Sequence, residues 1–170
     1  MSTIADYRTL PFQTRNVSSS GKLVAQSAYW RLYTIENLFR IIIHSVLSVQ
    51  IQPNWWPLVI SPPKDRKVQA IKQDYTNRPG STLPGNHDIY YLFLSDLTKV
   101  LTDHSNSFAV FVPDINQWII NLEHIRLPRN IVGHMNWPSA LDRQRINTTY
   151  QESKSLLRQL SSSGLRILIP

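Results

Sequence analysis

The chain has 170 residues, no cysteine, and 18 Lys plus Arg against 11 Asp plus Glu, a formal surplus of +7. That length predicts one domain with room for a real core, and the missing thiols exclude disulfides, zinc–thiolate sites and thiol catalysis and fit a reducing cytoplasm. The surplus, carried more by arginine than by lysine, favours an anionic partner, most simply nucleic acid.

Residues 1–24 read as a loosely ordered N-terminal segment. Scattered apolar residues precede VSSSGK, which reads as a loop or cap. The start lacks the charged region and apolar stretch of a secretory signal. Residues 25–170 read as a single domain. From Ser27 the pattern changes: Leu32, Ile35, Phe39, Ile42, Val46 and Val49 recur at alternating spacings of three and four. This stripe predicts a helix of about six turns, and Ile41, Ile43 and Leu47 widen its apolar face. No uninterrupted apolar run reaches membrane-spanning length, since RIIIHSVLSV is broken by His44, so no membrane partner is expected.

QPNWWPLVISPP breaks the chain with its prolines. KDRKVQAIKQDYTNR reads as a short exposed helix, and PGSTLPGN as loop. DIYY is compatible with extended structure, Ser95 opens a helical stretch with Leu97, Val100 and Leu101 inward, and SFAVFVP is compatible with a short strand. Pro113 suits the first turn of the next helix, whose inward face is Ile115, Ile119, Leu122 and Ile125. Gly133 is a natural helix stop. The final helix is capped by Asn136 or Ser139, carries Leu141, Ile146, Tyr150, Ser153, Leu157 and Leu160, and ends at Ser-Ser-Ser-Gly. The expected fold is mainly α: about four main helices with long irregular connections.

The segment RLPRNIVGHMN places Arg129, Asn130 and His134 at the end of an apolar periodic stretch. The residue types suit phosphodiester chemistry. Histidine titrates near neutrality and serves as base or acid, while arginine stays charged and offers a planar fork to two phosphate oxygens. Asparagine positions either partner or the ribose. On an unbroken helix, positions five apart point about 140° away from each other. Arg129 and His134 therefore converge only if the helix ends between them, and Gly133 lies there. The plainer reading has Arg129 and Asn130 capping carbonyls and His134 solvated. Pro128 removes an amide donor and clashes with the carbonyl near His124, which predicts either a kink or a new turn.

RNIVGH matches the arginine–polar–spacer–histidine signature of the HEPN family (higher eukaryotes and prokaryotes nucleotide-binding), which the chain resembles. YTIENLFRIII is similar to the family's first helix, IYYLFLSDLTKVL to the segment before its third, and WPSALDRQRI to the opening of its last; together they cover roughly residues 27–160. The resemblance implies a HEPN-like helical bundle and an endoribonuclease that needs no metal or other cofactor. It makes Arg129, Asn130 and His134 the catalytic residues. It also implies RNA as substrate, a homodimer with the site at its interface, and a defence or toxin–antitoxin setting with an antitoxin or defence-system partner. The alternative is a non-catalytic HEPN-like module that binds RNA or a protein.

Other residues enter as supporting candidates. Tyr33, Glu36, Arg40 and His44 form a polar stripe on the first helix, with Glu36 placed to pair with Arg40 and orient the motif. An exposed face with an ordinary ion pair explains that stripe equally well. Lys64, Arg66, Lys67, Lys72 and Arg78 are candidate phosphate contacts, with Trp55 or Trp56 as a stacking platform, although a solvated helix beside a tryptophan-anchored loop is the better reading for the tryptophans. His87-Asp88 resembles the metal-binding dipeptide of HD-type phosphohydrolases, but the ligand helices such an enzyme needs are not evident.

Overall fold

The computed structural model describes residues 14–80 and 82–165. Within them the chain is all helical. Helix α1 spans Thr14–Gln50. A short α2, Trp56–Val59, and α3, Pro62–Thr76, follow. A 3-10 turn at Asp88–Tyr91 leads into α4, Leu94–Asp103. Then come α5, Ser105–Ala109, α6, Ile115–Gly133, and α7, Ala140–Ser162. The core is a bundle of α1, α4, α6 and α7: α6 packs on α4 and α7, and α1 packs on α7 and α4. Helix α3 lies apart and packs on the 3-10 turn.

The predicted stripe of α1 forms the centre of this core. Ile35, Phe39, Ile42 and Val46 are fully buried, and so are Ile43 and Leu47. Val49 is an exception at 62% exposed. It lies in the last turn, where Val46, Leu47 and, beyond the helix, Ile51 occupy the core side. By length and composition alone α1 would cross a membrane, a property of its averaged window rather than of an uninterrupted run; 61% of that window is buried inside the molecule, the pattern of a core helix.

Four further expectations are corrected. The segment 14–24, read as loosely ordered, is helical and continuous with α1, although none of Thr14–Val24 is buried. VSSSGK is helix rather than loop, and the Ser19 hydroxyl donates to the Arg15 carbonyl one turn back. DIYY and SFAVFVP are a 3-10 turn and a short helix with a turn, not strands, because their apolar residues face one helical core instead of a sheet. Leu141 is exposed, and Thr149 and Leu156 take inward places on α7 that the sequence reading leaves out. The cap of α7 is Ser139: its hydroxyl accepts from the Asp142 amide while the Asp142 carboxylate accepts from the Ser139 amide, a reciprocal capping box.

Where α1 enters the bundle, Ala25–Tyr29 forms one π turn. The wider turn loosens the regular hydrogen-bond ladder, and side chains supply donors beside it. Ser27 Oγ donates to the Leu23 carbonyl, Trp30 Nε1 to Gln26, and Arg31 Nη1 to Ser27.

Candidate functional site

Glu36 and Arg40 sit one turn apart on α1 and are 9% and 8% exposed, so they are not a solvated surface pair. Burying these charges requires every lone pair and proton to find a partner. Arg40 Nη2 donates to Glu36 Oε1 at 2.6 Å and to the Leu92 carbonyl at 2.9 Å. Its Nε reaches the Ile89 carbonyl and its Nη1 the Asn37 side-chain oxygen. Arg40 thus ties the 3-10 turn to α1. Glu36 also holds Arg129 on α6: Arg129 Nε donates to Glu36 Oε2 at 3.0 Å, and its Nη2 lies 3.4 Å from Oε1. One buried carboxylate therefore bridges two guanidiniums from different helices, and the cluster keeps a net positive charge.

This cluster forms the floor of a cavity of about 400 Å³. Tyr29, Tyr33, Pro84, Tyr90 and Val132 contribute to its walls. Tyr33 is 63% exposed and lies one turn from both Tyr29 and Glu36. Tyr90 packs flat on Gly85, where a Cβ would stand 2.1 Å from its ring, so the close approach requires glycine. With two of its nitrogens committed to Glu36, Arg129 lies with Nη1 beside Gly133.

The other motif residues are distributed around the same helix end. Helix α6 continues through Pro128, which is buried inside it, so no new element begins there. It also runs through Gly133 and ends with His134 as its C-cap, so it does not end between Arg129 and His134. Arg129 lines the cavity; His134 is exposed and does not. Asn130 borders a smaller depression with Phe93, Ser95 and Arg126. The true stop lies two residues beyond Gly133. Met135 adopts φ +59, its amide donates to Val132, and the Asn136 amide donates to Ile131, the Schellman arrangement with methionine in the place usually held by glycine.

His44 belongs to a different cluster. Its Nδ1 accepts from Trp55 Nε1 at 3.3 Å, and its ring lies edge-on to that of His87 at 4.6 Å. His87 Nδ1 accepts the Ile89 amide and its ring stacks on Trp55. Burial lowers the pKa of both histidines, and for His87 the neighbouring His44 lowers it further. Trp55 is fully buried and Trp56 nearly so, which removes both as stacking platforms. Among the basic candidates, Lys64 is paired with Asp96 and Lys72 with Asp88, whose hydrogen bond raises the Lys72 pKa. Arg66, Lys67 and Arg78 are exposed. Asp88 is taken by Lys72 and His87 by its own cap. Among the described residues no group of three or more His, Asp or Glu side chains gathers at metal-binding distance.

Compared with known proteins, the chain matches no family model, no curated protein and no solved structure. Sequence reasoning missed Tyr29, Tyr90 and Met135. The four-residue spacing from Tyr29 to Tyr33 was a signal for the first; no local signal marks the other two.

Proposed function

We propose that the chain is a HEPN-like endoribonuclease domain in which Arg129 binds the scissile phosphate and His134 transfers protons. The observation that carries this reading is the clamp on Arg129. A buried carboxylate fixes the guanidinium on a cavity floor, near the helix end where an exposed imidazole follows. A fixed guanidinium loses little entropy on binding a phosphate and meets the extra negative charge of a phosphorane without reorganising. In the reaction a ribose 2'-oxygen attacks phosphorus, the 2'-O–P bond forms, and the P–O5' bond breaks. His134 accepts the 2'-hydroxyl proton, and an imidazolium protonates the departing 5'-oxygen. The products are a 2',3'-cyclic phosphate and a 5'-hydroxyl. The +7 surplus, with Arg66, Lys67 and Arg78 exposed, supports RNA as the anion. A cytoplasmic defence or toxin–antitoxin role, with an antitoxin or defence partner, follows from the family resemblance alone.

One protomer supplies one His134, outside the cavity that Arg129 lines, so the reading includes a two-fold dimer that brings two motifs together. Of the surplus apolar positions, Ile43 and Leu47 do not support it, being buried in the same core as Trp55 and Trp56, and Ile41 is half-buried. Its support is an apolar groove of about 270 Å³ beside His134, bordered by Val17, Val24, Val132, Met135 and Trp137. Met135 is 85% exposed there.

The second reading, a non-catalytic RNA-binding module, is favoured by the same placement of His134. Incubation with mixed RNA in EDTA separates the two. The nuclease reading expects cleavage in chelator that Arg129→Ala reduces by at least a hundredfold. RNA binding without cleavage selects the module, and activity restored only by one added metal overturns the mechanism.

A further inference from the structure

We infer that the cavity over the Glu36–Arg129 clamp is a subsite for a single nucleotide, with the base against Tyr29 and Tyr33 and its phosphate on the Nη1 edge of Arg129. The inference rests on the RNA reading for the identity of the polymer, but not on cleavage.

The charge arrangement selects an anion. Glu36 is engaged by both guanidiniums: Oε2 accepts from Arg129, and Oε1 accepts from Arg40 and faces Arg129 Nη2. Four of the five N–H donors of Arg40 go to Glu36, Asn37 and the Ile89 and Leu92 carbonyls, so Arg40 contributes mainly its charge to the cavity. Asn37 accepts from Arg40 and donates to the Tyr33 carbonyl. Arg129 differs. Its side chain is 28% exposed, and Glu36 engages only its Nε and Nη2. The cavity floor therefore offers a fixed guanidinium edge to one anionic group.

The walls select a flat partner. Tyr29 and Tyr33 are four residues apart, 54% and 63% exposed, and present two phenol rings along one helix face. Exposed aromatic rings beside a cation are how proteins hold single-stranded nucleic acid without reading its sequence. The volume, about 400 Å³, lies near the lower end of the range for small-ligand sites and suits one nucleotide rather than a folded polymer.

Calorimetric titration of the full-length protein with 3'-UMP, 3'-AMP, uridine, ribose 5-phosphate and inorganic phosphate tests the subsite. The nucleotides should bind at least tenfold more tightly than uridine, ribose phosphate or phosphate alone. Tyr33→Ala should weaken nucleotide binding about tenfold, the order expected for one lost base-stacking contact. Tyr33→Phe should retain binding, Arg129→Gln should abolish it, and Lys99→Ala, remote on α4, should leave it unchanged. Nucleotide affinity no better than that of inorganic phosphate, or unaltered by Tyr33→Ala, overturns the subsite. Because Tyr33 is exposed, its variants test the idea even if Arg129→Gln misfolds. RNA cleavage measured in parallel separates the claims. Binding with no cleavage strikes the nuclease reading alone, and cleavage with Tyr33-independent nucleotide binding strikes the subsite alone.

Discussion

Glu36 is the residue on which the site depends most. Its carboxylate is buried between Arg40 and Arg129, and removing one member of a buried ionic group strands the others. Glu36→Gln should lower unfolding stability by about 1–3 kcal/mol, read by chemical denaturation. It should also reduce RNA cleavage at least tenfold, because Arg129 loses its fixed orientation. Full activity in Glu36→Gln would show that the clamp has no part in function. Arg129→Ala leaves Glu36 with one guanidinium and should destabilise the fold measurably, whereas the sequence alone, placing Arg129 outside the core, predicts little effect. His134 is exposed, so His134→Ala should change stability by less than about 0.5 kcal/mol. That contrast makes His134 the cleaner probe of chemistry.

At the scale of elements, the end of α6 and the α1–loop junction carry the main tensions. Met135 holds a left-handed conformation that costs an L-residue about 1 kcal/mol and costs glycine almost nothing. Met135→Gly should therefore raise stability by about 0.5–1 kcal/mol in thermal denaturation; a loss would mean that its exposed side chain makes a stabilising contact after all. The His44–His87 cluster makes stability sensitive to acid. Both Nδ1 atoms accept hydrogen bonds, so both rings are held neutral, facing each other and Trp55, with Asp88 and Lys72 the charged groups nearest His87. Their folded pKa values lie below the ordinary 6.5, so the unfolded chain takes up protons first as pH falls. Stability from this cluster is complete above about pH 6.5 and declines as pH drops through the lowered folded values. His87→Phe should flatten that decline in denaturation curves taken from pH 7 to 5; an unchanged slope would rule the cluster out. The histidine cluster and the methionine at the helix stop were not legible beforehand, whereas Glu36 was already a candidate for orienting the motif. The α1 stripe and the Glu36–Arg40 spacing repeat at helical period and can be read from neighbours in sequence. The Glu36–Arg129 and His44–His87 contacts join residues far apart in the chain, and only the docking of whole helices and loops creates them.

For the molecule as a whole, the bundle of α1, α4, α6 and α7 brings the first helix and Arg129, Val132 and Gly133 to one cavity, while His134 stays outside it. The proposed dimer would make cleavage concentration-dependent. Over a dilution series followed by sedimentation, the rate per molecule should fall as dimers dissociate. A strict monomer with a constant specific rate would place the whole reaction within one chain. The mainly helical class was readable because its apolar periods are long; the helical state of SFAVFVP was not, because a short β-branched run fits either element until its partners are known. Cleavage of RNA by Arg129 and His134 through the 2'-hydroxyl would leave a chemical signature on the product ends. A defined RNA oligonucleotide is incubated in EDTA with native protein and with His134→Ala, and the new termini are identified by mass spectrometry. The native protein should leave 2',3'-cyclic phosphate and 5'-hydroxyl ends, and the variant almost none. Native products carrying 3'-hydroxyl and 5'-phosphate ends, or equal cleavage by His134→Ala, would contradict this mechanism.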